Sequence, residues 1–152
     1  MNGYYLVTQK LKKLLLLDED VNTVTKGDPS TIDDQKKNIF PLVHIEVFNS
    51  QFDTTGIIFN IRLFAYDLRN TNNTIQVDKF IGNDNEDDNL NTMLMVLYRL
   101  YQQLNDMDPE EEGFSLIDWG EAEIFMEKGA NVVDGWEVDI EFRVDEMYIG
   151  RC

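Results

Sequence analysis

The stretch PLVHIEVFNSQFDTTGIIFNIRLFAYDL, residues 41–68, holds two runs of alternating apolar and polar residues around a polar centre. Ile39 to Phe48 reads as a strand with Val43, Ile45 and Val47 on one face and Leu42, His44, Glu46 and Phe48 on the other, the two-residue period of a pleated chain. Gly56 to Leu68 repeats the pattern, Ile57, Phe59, Ile61, Leu63 and Ala65 alternating with Ile58, Asn60, Arg62, Phe64 and Tyr66. Asn49 to Thr55 joins them, so the pair is a hairpin, and Pro41, which lacks a backbone donor, belongs at its start or at an edge. Bulky apolar groups lie on both faces of the second strand. One face calls for helices and the other for partial cover by a neighbour.

Before the hairpin, Tyr4, Val7, Leu11, Leu14 and Leu15 follow helical spacing, with Lys10, Lys12 and Lys13 towards the negative end of the helix dipole. Asp18, Glu19 and Asp20 oppose that dipole and stop the helix near Leu17. Turn formers then run through Lys26-Gly27-Asp28-Pro29-Ser30, predicting a flexible loop or contact arm around residues 22–38. After the hairpin, Ile75 to Ile81 reads as a weak strand or ordered loop. The polar break 82–88 precedes a second helix from about Asn89 to Asn105, whose Leu90, Met93, Leu94, Leu97, Tyr101 and Leu104 form one stripe for a sheet. Asp106 to Gly113 makes a second acidic loop. Leu116 to Met126 and Trp136 to Val144 read as two last strands. The expected fold is one α+β domain over 1–152, an antiparallel sheet of four or five strands packed on one face by two helices.

The chain of 152 residues and net charge −16 has the length of a single domain. Residues 82–146 hold 19 acids and 3 bases while the remainder holds 10 of each, so the whole excess lies in the second half. That balance repels nucleic acid phosphates and weighs against sequence-independent DNA binding. No apolar run reaches the roughly 20 residues of a membrane span, and the lysine-interrupted start lacks a signal-peptide pattern, so a soluble, unexported protein is expected.

Reactive groups are few. The sequence has one histidine, His44, between Val43 and Ile45, and one cysteine, Cys152, which rules out an internal disulfide or a multi-thiolate zinc site. His44 reads as a packed sheet residue, and Ser115 lacks the second glycine of a nucleophile elbow. The carboxylate-rich runs 84–88 and 106–112 fail as EF-hands, since starts at Asp84 or Asp106 put Asn89 or Glu111 where glycine is needed and Met95 or Ile117 where the bidentate Glu belongs. No glycine-rich phosphate loop occurs, the sequon Asn72-Asn73-Thr74 is a short pattern expected by chance, and the strand aromatics have no basic groove beside them. The reading is no catalytic residue, no metal, no cofactor and no enzyme.

The order of elements resembles the tail terminator, tail completion and neck proteins of tailed double-stranded DNA bacteriophages. The resemblance rests on the strand Phe40-Pro41-Leu42-Val43-His44-Ile45-Glu46-Val47, its partner Ile57 to Asp67, the helix Asn89 to Asn105 and the closing strand Gly135-Trp136-Glu137-Val138-Asp139-Ile140-Glu141-Phe142, and it covers most of the chain. The loop from Lys26 to Asn38 and the abundance of Asn and Asp look similar to proteins of phages infecting Bacteroidetes, including crAss-like ring proteins.

This resemblance implies a virion protein assembled in the host cytoplasm into a ring of six or twelve copies between portal and tail. Neighbouring portal, neck or tail proteins would be its partners, with genomic DNA passing through and no membrane involved. Ile58, Phe64 and Tyr66, apolar groups on the second sheet face, are the expected subunit contacts. Asp84, Glu86, Asp87 and Asp88, Glu110, Glu111 and Glu112, and Glu137, Asp139 and Glu141 are the expected channel-facing acids, whose repulsion would keep DNA from sticking. The alternative is a monomeric acidic adaptor or inhibitor that binds a basic protein, an association that salt would weaken far more than an apolar ring contact.

Overall fold

The computed structural model describes residues 3–28, 40–69, 80, 85–128 and 132–145. Within them the order is α1 (Gly3–Leu16), β1 (Thr23–Lys26), β2 (Leu42–Asp53), β3 (Gly56–Leu68), α2 (Glu86–Asn105), α3 (Pro109–Glu112), β4 (Phe114–Trp119), β5 (Glu123–Lys128) and β6 (Val132–Asp145). The fold is α+β, with a mostly antiparallel six-stranded sheet in the order β1-β2-β3-β6-β4 and with β5 also paired to β6.

The expected hairpin is β2–β3, in register from Leu42 opposite Tyr66 to Asp53 opposite Gly56, with one irregularity between Val47 and Asn49. Its odd-numbered apolar residues Val43, Ile45, Phe59, Ile61, Leu63 and Ala65 are buried in one cluster with Val7, Leu11 and Leu15 of α1 and Met93, Val96, Leu97, Leu100 and Leu104 of α2. Val138, Ile140, Phe142 and Val144 complete it from β6. Helical and strand periodicities therefore meet on one face of the sheet, which is why α1 and α2 lie there. Three carboxylates, Glu86, Asp87 and Asp88, occupy the first turn of α2, where the helix dipole favours them. Asp108 caps α3 by accepting from the Glu110 N–H at 2.9 Å, and Gly113 ends it in the left-handed conformation at φ 83°.

Three sequence expectations change. The loop predicted to begin at residue 22 contains β1, which pairs parallel to β2 from Thr23 opposite Leu42 to Lys26 opposite Ile45. His44 is buried and fastens this edge, one ring nitrogen 2.7 Å from the Thr25 hydroxyl and the other 2.9 Å from the Gly27 carbonyl. The rest of the expected arm, residues 29–38, lies outside the described residues, as does most of the weak strand 75–81.

The single strand expected from Leu116 to Met126 is two strands. β4 pairs with the C-terminal half of β6 and β5 with its N-terminal half, Trp119 facing Ile140 and Glu123 facing Glu137. Between them the chain turns inward at Gly120, whose N–H donates to the Asp139 carbonyl at 2.8 Å. A Cβ on Gly120 would stand 2.9 Å from that same oxygen, so glycine permits the close approach. The acidic loop expected at 106–113 contains the short α3, a third helix.

Candidate interaction surfaces

The sheet face away from α1 and α2 has two parts. Towards the start of β6 it is closed by a second apolar cluster of Leu42, Phe64, Tyr66 and Val133, with Phe40, Leu68 and Phe125 packed against it. Phe125 crosses over Gly135 to put its ring centroid 5.2 Å from that of Phe64 and 5.7 Å from that of Tyr66. Gly135 sits so close to β3 that a Cβ there would collide with the Ala65 carbonyl and the Tyr66 backbone. This arrangement corrects two of the expected subunit contacts. Phe64 and Tyr66 are buried, at 4% and 0% exposure, and the neighbour that covers them is β5 of the same chain. Ile58 remains half-buried near the hairpin tip, opposite Gln51 and Arg143.

The other part of this face is charged. Glu137, Asp139 and Glu141 alternate outward along β6, with Arg62 of β3 held against Asp139 by contacts of 2.7 and 3.2 Å. Arg62, Glu121, Glu123, Glu137 and Asp139 line a cleft of about 310 Å³ beside Gly120. Burial raises the pKa of Glu137; Arg62 opposes the shift, and Glu123, Asp139 and Glu46 add to it by repulsion. Arg143 is likewise occupied, its guanidinium 2.7 Å from Asp53 and 3.5 Å from Asp145.

The expected channel acids are thus split among three places. Glu137, Asp139 and Glu141 lie on the outer sheet face. Glu86, Asp87 and Asp88 lie at the start of α2, where Glu86 is 3.5 Å from Arg69. Glu110, Glu111 and Glu112 form α3, where Glu112 is 3.0 Å from Lys10 of α1. The helix α2, about 30 Å long at 1.5 Å per residue, leads from the second place towards the third. Asp84 lies outside the described residues.

A surface missed in the sequence lies on the helix side of the sheet. Leu94, Met95, Tyr98 and Tyr101 of α2 face Trp119 and Ala122 across an apolar groove of about 390 Å³. The Tyr101 and Trp119 rings meet edge to face at 5.4 Å, forming one wall. Met95 and Tyr98 stay 38% and 51% exposed. Their signal was present: they sit just outside the stripe that faces the sheet, and apolar residues there widen it beyond what the core uses. Elsewhere α1 presents Tyr5 and Leu16 to solvent, and Thr8, Lys12, Val24 and Lys26 share a shallow hollow between α1 and β1.

Among the described residues, no group of three or more His, Cys, Asp and Glu side chains is placed to hold a metal ion. No described helix is long and apolar enough to cross a membrane. No protein-family model matches the chain, and no curated protein matches its sequence.

Proposed function

We propose that the protein is a structural subunit that assembles head to tail into a ring in the connector or tail of a tailed double-stranded DNA bacteriophage, lining or extending the channel through which the genome passes. The observation that carries this reading is a pair of unlike surfaces with exposed apolar groups, one beside α2 and one on α1. The groove between α2 and the β4–β5 turn leaves Met95 and Tyr98 exposed, and the outward face of α1 leaves Tyr5 and Leu16 exposed. Two unlike surfaces on one subunit are what a heterologous contact needs, and such contacts close into rings when the rotation between copies permits. The resemblance of the element order to that of tail terminator and neck proteins supports the same reading.

The outer sheet face suits a channel wall. Its carboxylates Glu137, Asp139 and Glu141 repel phosphate, and its arginines Arg62 and Arg143 are already paired with Asp139, Asp53 and Asp145. DNA would pass it without being held. The competing reading is a monomeric acidic adaptor for a basic partner, which the net charge of −16 also favours.

Native mass spectrometry and sedimentation over a concentration series test the proposal. The expected result is an oligomer of fixed copy number that persists at raised salt. A protein that stays monomeric throughout and binds only basic partners, in a salt-sensitive way, supports the adaptor instead.

A further inference from the structure

Building on the ring reading, we propose that neighbouring copies join by extending the sheet: the open edge of β2 over residues 47–52 pairs antiparallel with the open edge of β4, Phe114–Trp119, of the next copy. The strand pairings put these two stretches level with each other. Phe52, Ile57, Val144 and Phe114 form one row across β2, β3, β6 and β4, and Gln51, Ile58, Arg143 and Ser115 form the next. Val47, Ile61, Ile140 and Trp119 form the last. In this half of the molecule the sheet is four strands wide. β1 pairs only with residues 42–45 of β2, and β5 pairs only with the first half of β6. Among the described residues, then, no strand lies beyond either edge.

Direction agrees with this pairing. Each step from β2 to β3, β6 and β4 is antiparallel, so β4 runs opposite to β2. A copy displaced across the strands without being turned over brings its β4 beside its neighbour's β2 in the antiparallel sense. The two edges match in length, about 20 Å at 3.4 Å per residue. Each has one irregularity, between Val47 and Asn49 and between Leu116 and Asp118, and the two fall within a row of each other.

Charge and exposure select a second copy as the occupant. The chain carries a net charge of −16, yet residues 47–52 hold no ionisable group and residues 114–119 hold only Asp118. Two copies therefore meet where their mutual repulsion is least. Asp118 stands in the row of Glu141, Asn60 and Asn49, which places it beside Asn49 of the next copy. The Asn49 amide oxygen accepts from Asn60, so its amino group is left to donate to that carboxylate. Phe52, 85% exposed, comes to lie beside Phe114 and gains apolar cover. An edge without charge or proline is a template for pairing, and main-chain hydrogen bonds along it supply the affinity. A copy's own β3 and β6 separate its β2 from its β4. Each contact accordingly leaves one edge of each kind for the next copy, and the acids of the outer sheet face stay uncovered.

Disulfide trapping tests this in the full chain. Gln51→Cys and Ser115→Cys are combined with Cys152→Ser, which removes the native thiol. Within one chain the two positions are three strand spacings, about 14 Å, apart, beyond the about 7 Å reach of a disulfide, so a bond between them joins two copies. The triple variant, checked for folding by circular dichroism, is expected on mild oxidation to run as a covalent ladder that ends at the copy number found by native mass spectrometry. Mixing the two variants that carry one new thiol each should give only a dimer joined from position 51 to position 115. If the wild type never associates, the ring reading falls and this contact with it. If the wild type forms a ring but the triple variant gives no ladder, the ring stands and this contact is wrong. A dimer joined through position 51 of both copies also overturns it, since like edges would then pair.

Discussion

Replacing Arg69 with alanine should remove much of the stability of the fold, although the residue lies just beyond the end of β3. Its guanidinium donates to both carboxylate oxygens of Asp134 in β6, whose side chain is fully buried. The Asn89 amide of α2, at 3.5 Å, is the next donor to that carboxylate, and it also donates to the Leu68 carbonyl at 3.0 Å. Arg69→Ala therefore strands a carboxylate in the sheet interior with one weak partner. Breaking a buried pair from one side costs about 3–5 kcal/mol, against a total of about 5–15 for a domain of this kind. With a urea slope near 2 kcal/mol per molar, the midpoint should fall by about 1.5–2.5 M, read by tryptophan fluorescence or circular dichroism. Removing both charges in R69M/D134L should recover most of the loss, since apolar replacement of a whole buried pair is often neutral. A single mutant that loses less than about 1 kcal/mol, or a double mutant less stable than the single, would refute the assignment of Arg69 as the partner that keeps Asp134 tolerable.

Gly135→Val should cost about 3 kcal/mol or more, because its side chain would strike the β3 backbone at Ala65 and Tyr66; thermal unfolding that matches the wild type would show that β6 does not approach so closely. Phe125→Ala should cost somewhat less than the about 3–5 kcal/mol of a fully buried Phe and should expose Phe64 and Tyr66, detectable as new binding of a hydrophobic dye. Asp18 works against burial, yet its bonds to Arg99 and to the Asp20 N–H hold its pKa below 3.8. Its ionised form favours the fold, so the stability gap between wild type and Asp18→Asn should be full near pH 7 and close as pH falls below about 4; a gap that persists at pH 2 contradicts this. Burial lowers the pKa of His44 below 6.5 against the opposing Gly27 carbonyl, Glu46 and Asp28. Neutral His44 therefore favours the fold above that range, and acidification through the lowered value removes its contribution. An imidazole NMR titration with a midpoint above 6.5 would contradict it.

The parts of the fold that could be read from the sequence were those whose periodicity is local. Residues 41–68 and α2 each repeat their signal several times within one element, and both elements form, although β2 continues to Asp53 through much of the expected connection and the buried stripe of α2 is Met93, Val96, Leu97, Leu100 and Leu104, with Leu90, Leu94 and Tyr101 only half-buried. β1 was missed because Thr-Val-Thr-Lys is four residues long and its partner is parallel and distant in sequence, so no turn announces it. The fate of Phe64 and Tyr66 was illegible for a different reason. Alternation shows that a face is apolar but not what covers it, and the cover depends on Phe125 reaching across a glycine in another strand. The same holds for the acids: their abundance was plain, but only the third dimension divides them among α2, α3 and the outer sheet face and supplies the arginines that neutralise some of them. Met95 and Tyr98 lie one step outside the expected stripe, and helical spacing alone does not show that Trp119 and Ala122 make a groove with them.

The position of β6 has a consequence for biosynthesis. It follows every other described strand in the chain yet is flanked in the sheet by β3 on one side and β4 and β5 on the other. Until it emerges from the ribosome, thirteen residues of β3, Gly56–Leu68, present an open hydrogen-bonding edge with apolar groups on both faces. Nascent chains stopped short of residue 132 should accordingly be sticky and prone to cross-pairing, and the arrival of β6 is what covers that edge.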